Sequence, residues 1–234
     1  MPLPVNRFLL FIDTETSGLP KKLEAPDPQK DDWPYALQVS WIVYSPEGEK
    51  VREENHYIYD EAVQITPSSF RVHGINKDFL RENGEERHTV MQLLQAHLLQ
   101  YQPLVVGHFV ELDQYLAIAE FYRSGLSNPL EQLPVFCTMT NTTQLVRNPV
   151  HKYLKLAQLY ELLFDREQPR QHHALADAQA TADCFFELLH KGYISEQAIE
   201  TRKPAMESIP NNTKKRRPNT VFTRLLTIFA AIVH

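Results

Sequence analysis

The sequence predicts an α/β fold, a mixed five-stranded sheet flanked by helices. Three observations carry this. The β-rich runs come first and include a hairpin, short apolar strands then alternate with helices, and the last long helix has a strong three-to-four-residue period. The apolar run Phe8–Ile12 leads a buried strand over about 6–13. YALQVSWIVYSPEGEKVREENHYIY holds two β-rich runs around Pro-Glu-Gly-Glu, which gives hairpin strands at about 36–45 and 49–59. Helices are expected at about 76–83 and 88–101. Leu104–Val106 is another short apolar strand, within 104–107, and Gly107 punctuates it. A helix over 111–124 follows, with Leu112, Leu116 and Ala119 on its apolar face. A fifth strand at 134–138 precedes helices at 153–164, 174–190 and 195–201. Gly192 stands in the usual stop position after the helix over 174–190.

Composition sets bounds. A chain of 234 residues suits one domain plus an appendage, and there is no internal repeat. Cys137 and Cys184 are far apart in apolar surroundings, so reduced thiols are expected. No signal peptide and no membrane-length apolar run is evident, which points to a cytoplasmic setting. Charge is uneven. From Arg202 onward there are seven basic residues and one acid; the 17 basic and 28 acidic residues before it give a net charge of −11. Phosphate affinity usually comes from Lys and Arg, so this balance argues against a wide duplex-binding surface and for a grip on a few terminal nucleotides. The stretch PKKLEAPDPQKDDWP, from Pro20 to Pro34, reads as a mobile polar loop beside the site.

Three places carry candidate chemistry. Asp13 and Glu15 are two apart at the end of the first strand, so they project from one face. Paired carboxylates repel unless a cation lies between them, and hard divalent ions take oxygen ligands; a charged strand end is the plain alternative. Asp113 falls in the first turn of its helix, where the helix dipole alone would favour an acid. His172 lies just before the late Ala-rich helix and Asp177 five residues on, about one and a half turns in. An exposed His and Asp on a packing helix would look the same.

Together these segments resemble a known family. Asp-x-Glu after an apolar strand, Gly-His-x-x-x-x-Asp mid-chain and His-x-x-x-x-Asp opening a late helix are similar to the motifs of the DEDDh 3′–5′ exonucleases, which include the proofreading subunit of bacterial DNA polymerase. ITPSSFRVHGINKDFL and YLKLAQLYELLF resemble two connecting segments of that family, and the likeness covers about residues 7–190. It implies a ribonuclease-H-like fold and metal-dependent 3′→5′ release of nucleoside monophosphates. Asp13, Glu15, Asp113 and Asp177 would hold two divalent ions, Mg²⁺ or Mn²⁺, with Asp13 bridging. His172 would be the general base; the spacing of five selects it over His173. The backbone around Thr14 and Thr16 would approach the 3′ hydroxyl, Leu19 would wedge beside the last base, and Val72 and His73 would line the opposite wall. The partner would be a single-stranded or frayed 3′ end, DNA favoured. An exoribonuclease trimming short RNAs and a non-catalytic nucleic-acid-binding module are the alternatives. The chain departs from the family pattern where Phe109 replaces an Asn and Leu112 a Phe.

The exonuclease domain is expected over 1–201, with 202–234 as a basic linker and apolar tail. IPNNTKKRRPNT is polar and basic, and VFTRLLTIFAAIV is nearly all apolar. As a helix the latter reaches only about 20 Å, too short for a bilayer core. It would dock on its own domain, a membrane surface, a polymerase or another protein partner, or the basic cluster would bind the trailing nucleic acid.

Overall fold

The computed structural model describes residues 6–147 and 152–200. Five strands form one sheet: β1 (Leu9–Thr16), β2 (Ala36–Tyr44), β3 (Lys50–Tyr57), β4 (Leu104–Gly107) and β5 (Val135–Cys137), in the order β3-β2-β1-β4-β5. β1 pairs antiparallel with β2 and β2 with β3, whereas β1–β4 and β4–β5 are parallel. The helices among the described residues are α1 (Pro67–His73), α2 (Lys77–Asn83), α3 (Arg87–Tyr101), α4 (Val110–Arg123), α5 (Leu156–Phe164), α6 (Ala174–His190) and α7 (Glu196–Glu200). Short 3₁₀ segments occupy Pro129–Gln132 and Thr140–Leu145.

The core divides on the two faces of the sheet. Leu10 and Ile12 pack with Met91 and Leu94 of α3 and with Leu116 and Phe121 of α4. Leu9 and Phe11 pack on the other face with Leu159 of α5 and with Ala178 and Phe185 of α6. The Phe11 and Phe185 rings meet edge-on with centroids 5.5 Å apart. Each such buried side chain contributes about 1.5–3 kcal/mol relative to exposure. This is the mixed, helix-flanked sheet that the sequence predicted, of ribonuclease-H-like type.

Several local expectations need correction. β1 does not end at Asp13: its pairing with β2 continues to Glu15↔Gln38 and Thr16↔Ala36. Pairing with β4 stops at Phe11↔Val106, so the β4 side of the strand is open where the acids lie. α1 was not expected. It is short, but Thr66 caps it by accepting from Ser69 N at 3.2 Å, Pro67 opens it, and Gly74 closes it at φ 70°. α5 begins at Leu156 rather than 153, because Lys155 N donates to Gln158 Oε1 at 2.9 Å and fixes the helix start. α6 spans Ala174–His190 as expected, but Asp177 falls in its first turn rather than one and a half turns in.

The loop from Pro20 to Pro34 was expected to be mobile and beside the site. Instead Leu23 and Trp33 are buried, and Arg123 holds the loop. Its guanidinium donates to Asp31 Oδ1, to Trp33 O at 2.6 Å and to Pro34 O at 2.9 Å. It also lies 3.9 Å from the Tyr35 ring centre and pairs with the fully buried Glu120. The loop, which follows cavity-lining Leu19, therefore packs along α4, on Arg123 at its end and, through Trp33, edge-on against Tyr115 with ring centroids 5.8 Å apart.

Both cysteines are free, Cys184 buried and Cys137 half-buried. Among the described residues no helix is long and apolar enough to cross a membrane. The expected appendage over 202–234 lies outside the described residues.

Candidate active site

Alternation along β1 sends Asp13 and Glu15 to the face of Leu9 and Phe11, which α6 covers. Thr14 takes the other face, where its hydroxyl donates to Asp113 Oδ1 at 2.6 Å. Asp113 reaches that point because the chain turns sharply after β4. At Gly107 a Cβ would stand 2.9 Å from Val110 Cβ, so glycine is needed there, and Phe109 takes a left-handed conformation at φ 68° before α4 starts. His108 within this turn is pushed down to about 4 by burial and is neutral. Its Nε2–H donates to Leu154 O at 3.0 Å, and Nδ1 lies 2.9 Å from Thr138 Oγ1. The start of α4 is thereby tied to the segment leading into α5.

Asp177 is held from its own loop. His172 N donates to Oδ2 at 3.0 Å and the Gln168 amide donates to Oδ1. His172 sits at φ 61°, a left-handed value uncommon for a side-chain-bearing residue, and its exposed position puts the ring at the cavity. Donor atoms of Glu15, His172 and Asp177 all lie within 4.8 Å of one another. Asp13 and Asp113 complete the group from the strand and from α4.

The electrostatics of this group are unfavourable without a cation. Burial raises Asp13 well above the usual range, reinforced by Asp113, Asp177 and Glu15, with a Thr14 backbone hydrogen bond opposing. Glu15 is pushed up to about 8 by burial and then by Asp177 and Asp113. Asp113 and Asp177 are each pushed up to about 7, again mainly by burial, despite the hydrogen bonds they accept. No Lys or Arg of the described residues is among the influences on Glu15 and Asp177. Acceptor-only groups clustered in this way fit hard divalent cations.

A cavity of about 250 Å³ opens over the group. Asp13, Thr14, Glu15, Thr16, Leu19, Val72, His73, Asp113, His172 and Asp177, all singled out from the sequence, line it. Leu19 is 39% exposed. His73 is internally satisfied: Ile75 N donates to Nδ1 at 3.0 Å, so Nε2 carries the hydrogen and donates to Thr16 O at 3.2 Å. Burial, followed by the nearby His172, lowers its pKa and keeps it neutral. His173 is not among the lining residues; its Nε2 lies 3.3 Å from Tyr57 Oη.

Sequence reading missed Gln168, His108, Tyr153 and Lys155, which also line the cavity. Family spacing does not mark Gln168 or Lys155, since both act across loops. His108 stood inside the mid-chain block and its position was available.

The RNase_T exonuclease family profile matches residues 10–185. The chain belongs to the exonuclease family. Its fold is similar to that of E. coli exonuclease I in complex with a dT13 oligonucleotide, with a TM-score of 0.63 and 18% identity over 78% of this chain and 40% of that one. The dA16 complex of the same enzyme gives 0.62 and 18%, covering 78% of this chain and 40% of that one. The zinc-bound complex of E. coli exonuclease I with single-stranded DNA gives 0.62 and 17%, covering 80% and 41%. The chain thus spans about two fifths of the length of these structures. No curated protein sequence matches it.

Proposed function

We propose that this protein is a metal-dependent 3′→5′ exonuclease that releases nucleoside monophosphates from single-stranded or frayed ends, with DNA preferred. The observation that carries the reading is the convergence of four carboxylates beside His172 in one cavity. Asp13, Glu15, Asp113 and Asp177 would hold two divalent cations, Mg²⁺ or Mn²⁺. When bound, these would activate water and neutralise charge on the attacking and leaving oxygens.

The chain's own residues supply the rest. Partial burial, and then Lys155, lower the pKa of His172, which favours the neutral ring that a general base needs to take a proton from the attacking water. Gln168 and the His172 backbone orient Asp177, and Thr14 orients Asp113. Leu19 and Val72 form apolar walls for a terminal base, and the neutral His73 steadies the Thr16 carbonyl. The oligonucleotides bound to the similar exonuclease I structures support a single-stranded substrate.

The test uses matched 5′-labelled single-stranded DNA and RNA oligonucleotides with Mg²⁺ or Mn²⁺. A ladder shortening one nucleotide at a time, faster for DNA, is expected. A labelled mononucleotide as the first product would reverse the polarity, faster RNA trimming would favour the exoribonuclease, and binding without hydrolysis would leave only the binding-module reading.

A further inference from the structure

A polyanion must enter this cavity, yet its lining is acidic. Among the described residues that line it, Lys155 is the only lysine or arginine. Lys155 forms no ion pair with any described residue, and its side chain is exposed to solvent rather than folded onto an acid. It stands near His172: its charge is felt there and is not among the influences on Glu15 and Asp177.

Its backbone is also fixed. The preceding carbonyl, Leu154 O, accepts from buried His108 at 3.0 Å, and Lys155 N donates to Gln158 Oε1 at 2.9 Å. A long cationic side chain is thus rooted at a pinned Cα on the cavity wall. Tyr153, two residues earlier, also lines the cavity, and Lys152 Nζ lies 5.1 Å from its ring centre. A cation beside an aromatic face is the usual means of gripping single-stranded nucleic acid.

We propose that Lys155 grips the phosphodiester one linkage upstream of the scissile bond and so sets the cavity's requirement for a second, charged linkage. This rests on the exonuclease reading, in which the scissile phosphate sits at the carboxylates; Lys155, in the cavity lining and near His172, would meet the neighbouring phosphate. The contact is an ammonium–phosphate pair, formed with substrate in the ground state and kept through the reaction, so it acts on KM rather than kcat.

The experiment compares an all-phosphodiester oligonucleotide with one whose penultimate linkage is a neutral methylphosphonate, using the full-length wild type, Lys155→Gln and Lys155→Arg. Rates are read with Mg²⁺, and binding by fluorescence anisotropy with Ca²⁺. Neutralising the linkage should cost the wild type about tenfold in kcat/KM and in affinity, the scale of one charge-assisted contact. Lys155→Gln should lose about tenfold through KM on the normal oligonucleotide, lose less than twofold further on the neutral one, and show a salt slope smaller by about 0.7. Lys155→Arg should recover most of the loss. Equal sensitivity of wild type and Lys155→Gln to the neutral linkage overturns the proposal, as does a loss confined to kcat. Wild-type protein that binds without cutting overturns the exonuclease reading, while the anisotropy comparison still decides Lys155. Protein that neither binds nor cuts overturns both.

Discussion

Replacing Asp113 with Asn should stabilise the protein while removing its activity. Asp113 is 4% exposed, and its pKa is raised from 3.8 to about 7. Between those values the unfolded chain has lost its proton and the folded chain has kept it, so folding stability falls as pH rises through the window. Above about pH 7 the full cost is present. A shift of roughly three units corresponds to about 4 kcal/mol at most. Two effects change what Asn recovers. Asn is itself a buried polar group, but its Oδ1 still accepts from the Thr14 hydroxyl. Removing the charge also relieves Asp13, for which Asp113 is the largest repulsive neighbour.

A gain of about 2–4 kcal/mol is therefore expected at pH 8, or roughly 5–15 °C in Tm for a chain of this size. The assay is thermal unfolding with EDTA at pH 4 and pH 8, then with Mg²⁺. The gain should be small at pH 4, close to the unfolded-state value, where little of the penalty has built up. Mg²⁺ should raise the wild-type Tm at pH 8 far more than the variant's. Hydrolysis should fall on the order of a thousandfold, since several kcal/mol of transition-state stabilisation depends on the ligand set. A variant no more stable than wild type at pH 8, or equally stabilised at pH 4, would refute the electrostatic reasoning.

Other outcomes are expected. His172→Ala should lower kcat by about two to four orders of magnitude, with His173→Ala much milder, as steady-state kinetics on a short DNA will show; the reverse ranking would move the base to His173. Arg123→Ala should destabilise the fold by about 3–5 kcal/mol, read from the urea midpoint, because Glu120 is fully buried and loses one of its two arginine partners. Truncation after Thr201 should leave the rate on short oligonucleotides nearly unchanged while altering binding to anionic vesicles or long substrates; failure to fold would place the tail in the core.

What was legible in the sequence was local or periodic. The two-residue spacing of Asp13 and Glu15 and the apolar period of α6 depend on geometry that any strand or helix repeats. Those features, with the resemblance, were enough to choose ten residues that line one cavity. α1 was missed because seven residues hold too little periodicity, although Thr66, Pro67 and Gly74 were a readable cap set. The Pro20–Pro34 loop was misread for another reason. Its composition is polar, and what fastens it is Arg123, about ninety residues away in sequence. Gln168 was equally invisible, since its bond to Asp177 depends on how a loop folds back on the first turn of α6.

The acidity of the chain before Arg202 and its proposed polyanionic substrate are less opposed than they look. With carboxylate pKa values near 7 and 8, the cation-free site does not carry four full negative charges at neutral pH; it retains protons. Cation binding must then displace those protons, so affinity for Mg²⁺ should rise with pH across that range. Each ion held adds positive charge where the phosphate would sit, so metal and nucleic acid must strengthen each other's binding by the same factor. In that linkage the carboxylates that repel DNA in the bare protein become, through the ions they hold, the source of its affinity. In that proposal Lys155 need hold only the neighbouring phosphate.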